Sequence, residues 1–296
     1  MDDYTKLNVS LDIEDNSHKP TRQVPDDNEI SNTSRGLIEK NGYPFENHTV
    51  QTEDGYILEI HRIPHGRNSS RNTGPPVLFV PGYFCSSADW VNMGPENSLG
   101  FILADKGYDV WLANYRGTRY IHTALTQNYE LLGYNSNTAK LAAIFCQDGA
   151  ITQGLCVTLY YLAGGYSPSQ INKTRLPVIL TNIPAGSSIR QGQHFAQLIT
   201  TAKFQKYDYG RIKNLKIYGQ PAPPQYDLSK ITAPLAIYVE DRDIYAKKKD
   251  TDKTAAEVSN LVVYRYIKGF SHADVIWGID APSVVFNDIL EQMRQY

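Results

Sequence analysis

Two short hydrophobic runs set the architecture of this chain. Val77-Leu78-Phe79-Val80 is continuous and closed by Pro81-Gly82. Asp109-Val110-Trp111-Leu112-Ala113 follows it across Asn97–Lys106, where Leu99, Ile102 and Leu103 recur at helical spacing before Gly107. A strand without polar alternation offers no face to water, which suits burial on both faces of a parallel sheet. Strand, helix, strand at this size is a βαβ unit. Pro234–Val239 and Leu261–Ile267 read as two further buried strands, and Thr138–Leu162 as one apolar helix ending at Gly164-Gly165. A last helix from Ala281-Pro282-Ser283 buries Val285, Phe286, Ile289, Leu290 and Met293. His48–Ile63 alternates around an Asp54-Gly55 turn, with Tyr56, Leu58 and Ile60 on one face, as a hairpin does. The fold class predicted is α/β, a parallel sheet with a helical insert at about 135–200.

Composition narrows the rest. With 41% apolar residues and 11% aromatics, dominated by 21 tyrosines, a real core is available and wholesale disorder is excluded. Residues 1–35, rich in Asp, Asn, Ser and Pro, read as a disordered leader, and 36–296 as the folded domain. Lys+Arg is 29 against 31 for Asp+Glu, and this net charge of −2 argues against nucleic-acid and anionic-membrane partners, which demand concentrated basic charge. No apolar run approaches the ~18 residues of a membrane span. Five N-x-Ser/Thr sequons, at Asn8, Asn32, Asn47, Asn68 and Asn172, suit a glycoprotein of secretory ancestry, yet Met1–Pro20 holds no signal-peptide core, so the compartment stays open. Of three cysteines, Cys146 and Cys156 lie close enough to bridge; two buried thiols on one helical stretch fit the residues equally well.

Ligands of open α/β sheets bind beyond the carboxyl ends of the strands. Pro81-Gly82-Tyr83 follows the first run, Glu240-Asp241-Arg242-Asp243 the third, and Gly269-Phe270-Ser271-His272 the fourth. An acid after one late strand and a histidine after the next is the order of the Ser-Asp-His hydrolases. There the histidine takes the nucleophile's proton, the carboxylate fixes its tautomer, and backbone N–H groups hold the oxyanion.

The wording around these positions is more specific. Asn41-Gly42-Tyr43-Pro44, Thr52 to Leu58 (TEDGYIL), His61-Arg62-Ile63-Pro64, Gly82 to Trp90 (GYFCSSADW) and Asp105 to Gly117 (DKGYDVWLANYRG) occur in order. Ile183 to Ser188 (IPAGSS), Lys203 to Gly210 (KFQKYDYG), Pro223-Pro224-Gln225-Tyr226 and His272 to Ala281 (HADVIWGIDA) follow. The series resembles the acid lipase family of α/β-hydrolases, which includes gastric, lysosomal and many insect lipases, over roughly residues 36–296. The resemblance implies a secreted or lysosomal lipase that hydrolyses neutral lipid (carboxylic) esters in lipid degradation. It places Asp243 on the family's catalytic acid, His272 on its histidine and Tyr83 on the residue that supplies an oxyanion N–H. It also places Cys146 and Cys156 on a lid disulfide and the insert on the helical lid; Asp274, two after the histidine, matches the pattern too and is read as structural.

One part of the pattern is missing. The family's nucleophile sits in a Gly-His-Ser-x-Gly elbow, and no serine here has glycine at both −2 and +2. Ser167 and Ser188 come nearest but lie in lid and post-lid text, and Cys85, Cys146 and Cys156 offer no substitute elbow. His122-Thr123 still reads like the segment after the fourth strand of the family, whereas Leu131-Leu132-Gly133 already reads like its lid. At ~30 residues per strand–helix excursion, two lost units imply a gap of at least ~60 residues that takes the two central strands. The expectation is therefore an incomplete hydrolase domain, inactive as encoded and of low stability. Either the Val77 strand re-pairs with the Pro234 strand, or the chain is two loosely joined fragments. A pseudoenzyme or truncated isoform that binds lipid or a partner through its lid helices is the alternative, and intact motifs on both sides of 124–133 favour a skipped coding segment over gradual decay. No HExxH or Cys/His metal spacing and no glycine-rich phosphate loop is present, so neither metal nor nucleotide cofactor is implied.

Overall fold

The first strand, β1 (Asn8–Leu11), falls within the leader and runs parallel to a strand near the C-terminus. The computed structural model describes residues 8–11, 33–53, 55–69, 74–120 and 130–296, so the rest of the leader up to Asn32, Asp54 of the hairpin turn, and His122-Thr123 lie outside the described residues. Helix α1 (Ser34–Lys40) buries Leu37 and Ile38. The hairpin is β2 (Glu46–Gln51) and β3 (Ile57–Ile63), antiparallel throughout, with His61 and Ile63 the fully buried side chains of β3.

The βαβ unit follows as β4 (Pro76–Phe79), α2 (Leu99–Asp105) and β5 (Asp109–Ala113), with β4 and β5 parallel. Lys106 and Gly107 end α2, and Gly107 takes the left-handed φ of +90° that glycine adopts at least cost. These strands form one sheet in the order β2-β3-β5-β4. One face of β4 carries Val77 and Phe79 into the core, while Leu78 on the other is 61% exposed and Val80 beyond the strand end is 51% exposed. The expectation that this run is buried on both faces is thus wrong, because β4 lies at the sheet's edge and one of its faces is bare.

Next comes the insert. A two-residue β6 (Glu130–Leu131) leads to α3 (Ser136–Phe145), α4 (Gln153–Gly164) and α5 (Leu176–Asn182). The apolar stretch expected to be one helix is two. The break falls at Gln147–Thr152, where Gly149 sits at φ +83°, and Cys146 and Cys156 bridge the two helices as a disulfide. After it, β7 (Ser187–Ser188) pairs with β6, and α6 (Ile189–Thr201) starts from a capping box in which Ser188 accepts from the Gln191 N–H and Gln191 reaches back. A loop then leads to α7 (Arg211–Tyr218).

The last elements are β8 (Leu235–Glu240), α8 (Lys248–Glu257), β9 (Leu261–Ile267), the single turn α9 (Asp274–Trp277) and α10 (Asn287–Met293), which continues a wide turn at Pro282–Phe286. They make a second sheet, β1-β9-β8, parallel throughout. Among the described residues β4 pairs only with β5 and β8 only with β9, so the two sheets share no ladder. They are not loose fragments either. One apolar cluster joins Phe79, Leu103 and Leu112 of the first sheet's side to Ile267, Phe270 and Phe286 of the second.

Candidate active site

The loop after β8 holds Asp243 by its own backbone. One carboxylate oxygen accepts from the Tyr245 N–H at 2.6 Å and the Ala246 N–H at 3.0 Å, a side-chain turn that fixes the acid at the strand's carboxyl end. The other oxygen accepts from Nδ1 of His272 at 2.9 Å. The Asp243 side chain is buried and that of His272 is 50% exposed. With Nδ1–H committed to the carboxylate, the imidazole lone pair lies on Nε2. Burial alone would raise the Asp243 carboxyl, yet the hydrogen bonds from His272 and from the Tyr245 and Ala246 N–H groups bring it below its usual value. The bond to Asp243 raises His272 above the ordinary histidine value, against a smaller effect of burial.

Three elements clamp the His272 loop. The His272 N–H donates to the Gly164 carbonyl at the end of α4, and the Arg242 N–H donates to the Phe270 carbonyl. The Tyr245 ring stands edge-on to the imidazole at 4.9 Å. Asp274 accepts from the Ser271 N–H at 2.6 Å and the Ser271 hydroxyl at 2.7 Å, closing the turn on which His272 rides. The last residue of β8, Glu240, is buried, and burial with the nearby Asp243 charge pushes its carboxyl up to about 7. Neither the Tyr245 contact nor the Gly164 carbonyl was legible in the sequence as part of the site.

The other expected residues stand apart. Tyr83 stacks near Phe84 and Phe195, and its hydroxyl approaches Gly192 of α6. Among the described residues no hydrogen bond or ring contact joins it to His272. Ser167 is fully buried and shares a hydrogen bond of 2.9 Å with Ser271, while Ser188 caps α6. Cys85 is a free thiol that burial, and then Asp89, push far above the usual range, so it is no thiolate nucleophile. Serine, histidine and carboxylate do meet elsewhere. Ser87 Oγ lies 2.8 Å from His61 Nδ1, and His61 Nε2 lies 3.3 Å from Glu59. That set is sealed in the core, and Ser87 Oγ is also 2.7 Å from Ser34 Oγ, so it braces α1 against β3 and has no path to a substrate. Among the described residues no group of three His, Cys, Asp or Glu is placed to hold a metal, and no helix is long and apolar enough to cross a membrane.

The chain is similar to known lipases and esterases. A family described as a partial alpha/beta-hydrolase lipase region matches residues 35–94. A gastric triacylglycerol lipase of Bos taurus is 29% identical over 354 residues, covering 86% of this chain and 89% of that protein. Lipase 3 of Drosophila melanogaster is 29% identical over 362 residues, covering 88% and 92%. Among solved structures, an esterase of Pyrococcus furiosus superposes with a TM-score of 0.45 at 14% identity, over 87% of this chain and 95% of that one.

Proposed function

We infer that this chain, which belongs to the acid lipase family of α/β-hydrolases, carries the acid–base half of a carboxylic ester hydrolase for neutral lipids without its serine half. In that chemistry a serine hydroxyl attacks the ester carbonyl and His272 Nε2 takes its proton. Asp243 steadies the imidazolium, and the family resemblance assigns the oxyanion to the Tyr83 backbone N–H. The observation that carries the reading is the Asp243–His272 pair, built and oriented, with no serine hydroxyl bonded to its histidine among the described residues.

Two further observations support it. An alignment that spans 354 positions holds only about 255 residues of this chain, 86% of 296, so roughly a hundred positions face no residue here. Two strand–helix excursions of ~30 residues each fit within that number. Among the described residues the sheets also end at β4 and at β8, the strands that would flank such a unit. A base with no positioned nucleophile forfeits the proximity that supplies much of enzymatic rate, so the chain as encoded is inactive toward esters.

A fluorophosphonate probe and a p-nitrophenyl ester assay test this. The expected result is no stoichiometric label and turnover equal to that of His272→Ala; labelling of a single serine overturns it. A chimera carrying the unmatched segment of the bovine relative in place of residues 121–129 should gain both labelling and turnover, and lose them again on His272→Ala.

A further inference from the structure

We propose that the outer edge of β4 pairs antiparallel with the same edge of a second copy of this chain, forming a weak two-fold dimer. The Asp109 N–H donates to the Pro75 carbonyl at 3.0 Å, so Pro75 faces β5. Backbone groups alternate sides along a strand. Val77 and Phe79 therefore face β5 too, and Leu78 and Val80 turn their N–H and C=O groups outward. Among the described residues nothing pairs with that side. The side chains of the same two residues stand on the bare face of the sheet, both more than half exposed. Polar edge and apolar face coincide at Leu78 and Val80.

A two-fold register centred on Phe79 satisfies both at once. It sets Leu78 of each copy opposite Val80 of the other as a hydrogen-bonded pair, which exchanges both N–H···O=C bonds. The two side chains then meet across the strands, as apolar cross-strand pairs do. Pro76 and Pro81, which have no N–H to give, lie just outside these pairs. The two four-stranded sheets become one, and Trp111, the ladder partner of Leu78 in β5, extends the shared apolar strip.

Charge selects the occupant. No charged residue stands from Asn72 to Ala88, so a second copy meets no like charge across the two-fold, and a charged partner finds nothing to pair with. β2 and β8 are less ready templates. β2 carries His48 and Glu46, the latter ion-paired with Arg62. The register of β8 with β9 slips between Leu235 and Ala236, and Glu240-Asp241-Arg242-Asp243 crowd its end with charge. A β4–β4 contact also closes on itself, whereas β4 against β8 is head-to-tail and open-ended. Two exposed side chains and one short strand bury far less than the ~800 Å² per partner of a standard interface, so the dimer forms only at high concentration. It rests on the bare edge alone and stands whether or not the chain turns over esters.

Sedimentation equilibrium of the full chain across a wide concentration series tests it. A reversible monomer–dimer equilibrium is expected. Leu78→Lys with Val80→Lys puts lysine opposite lysine in both pairs, whereas Leu78→Lys with Val80→Glu puts lysine opposite glutamate. The first double variant should associate at least roughly tenfold more weakly than the second, and added salt should narrow the gap. Both positions are exposed, and unchanged circular dichroism verifies folding. A monomer at every concentration overturns the proposal, as does equal association by the two double variants. Open-ended assembly that the double-lysine variant abolishes overturns it too, since that is β4 meeting β8.

Discussion

At the scale of residues, the Asp243–His272 pair has a pH signature of its own. Asp243 is depressed below the ordinary 3.8, so its contribution to stability is complete above that value and lost as pH falls through the lowered one. His272 is raised above the ordinary 6.5, so its contribution is complete below 6.5 and lost as pH rises through the raised value. Both contributions coexist between 3.8 and 6.5. Asp243→Asn removes the charge and leaves the partial burial of His272, so an NMR titration of the ring should move to or below the ordinary histidine value. The pH–stability curve should lose its mildly acidic maximum. An unmoved titration would mean that Asp243 does not hold this histidine. Strand-end position and order only suggested the two residues, since a parallel sheet delivers its loops to one edge, and the family motifs around them singled them out. The raised carboxyl of Glu240 was not legible, because its burial depends on what packs over the end of β8.

Among the elements, α4 does more than cover the site. Its C-terminal Gly165 sits at φ +103°, and a Cβ there would lie 2.7 Å from the Arg242 carbonyl oxygen and 3.0 Å from the Ser271 side chain. Arg242 and Ser271 are the neighbours of Asp243 and His272, so α4 sets the spacing of the pair. Gly165→Ala is expected to cost about 1–3 kcal/mol in denaturant unfolding, through left-handed strain and the close approach. The adjacent Gly164→Ala, whose Cβ meets Ala273 at an ordinary 3.5 Å, should be near neutral. Equal costs would show that the close approach is not what fixes this glycine. Sequence periodicity found α2, β5 and β9 within a residue or two. It merged α3 with α4, because Gly149 and the disulfide turn carry no break in hydrophobicity strong enough to see. It misread β4 because a run of apolar residues reports what a strand is suited to, not whether neighbours are there to bury it.

For the whole molecule, the decisive fact is that an apolar cluster and, among the described residues, no shared ladder joins the two sheets. Leu78 and Val80 remain more than half exposed, each forgoing part of the about 1.5–3 kcal/mol that full burial would contribute. The chain should therefore melt below the range of about 45–65 °C usual for mesophilic domains. A sharp calorimetric transition within or above that range would refute the low stability. Backbone edges add a consequence of another kind. Among the described residues the outer sides of β4 and β8 have no ladder partner, so their N–H and C=O groups can extend a ladder into a neighbouring molecule. Such pairing needs a second molecule, so loss of soluble protein is expected to steepen with concentration, which light scattering across a dilution series checks.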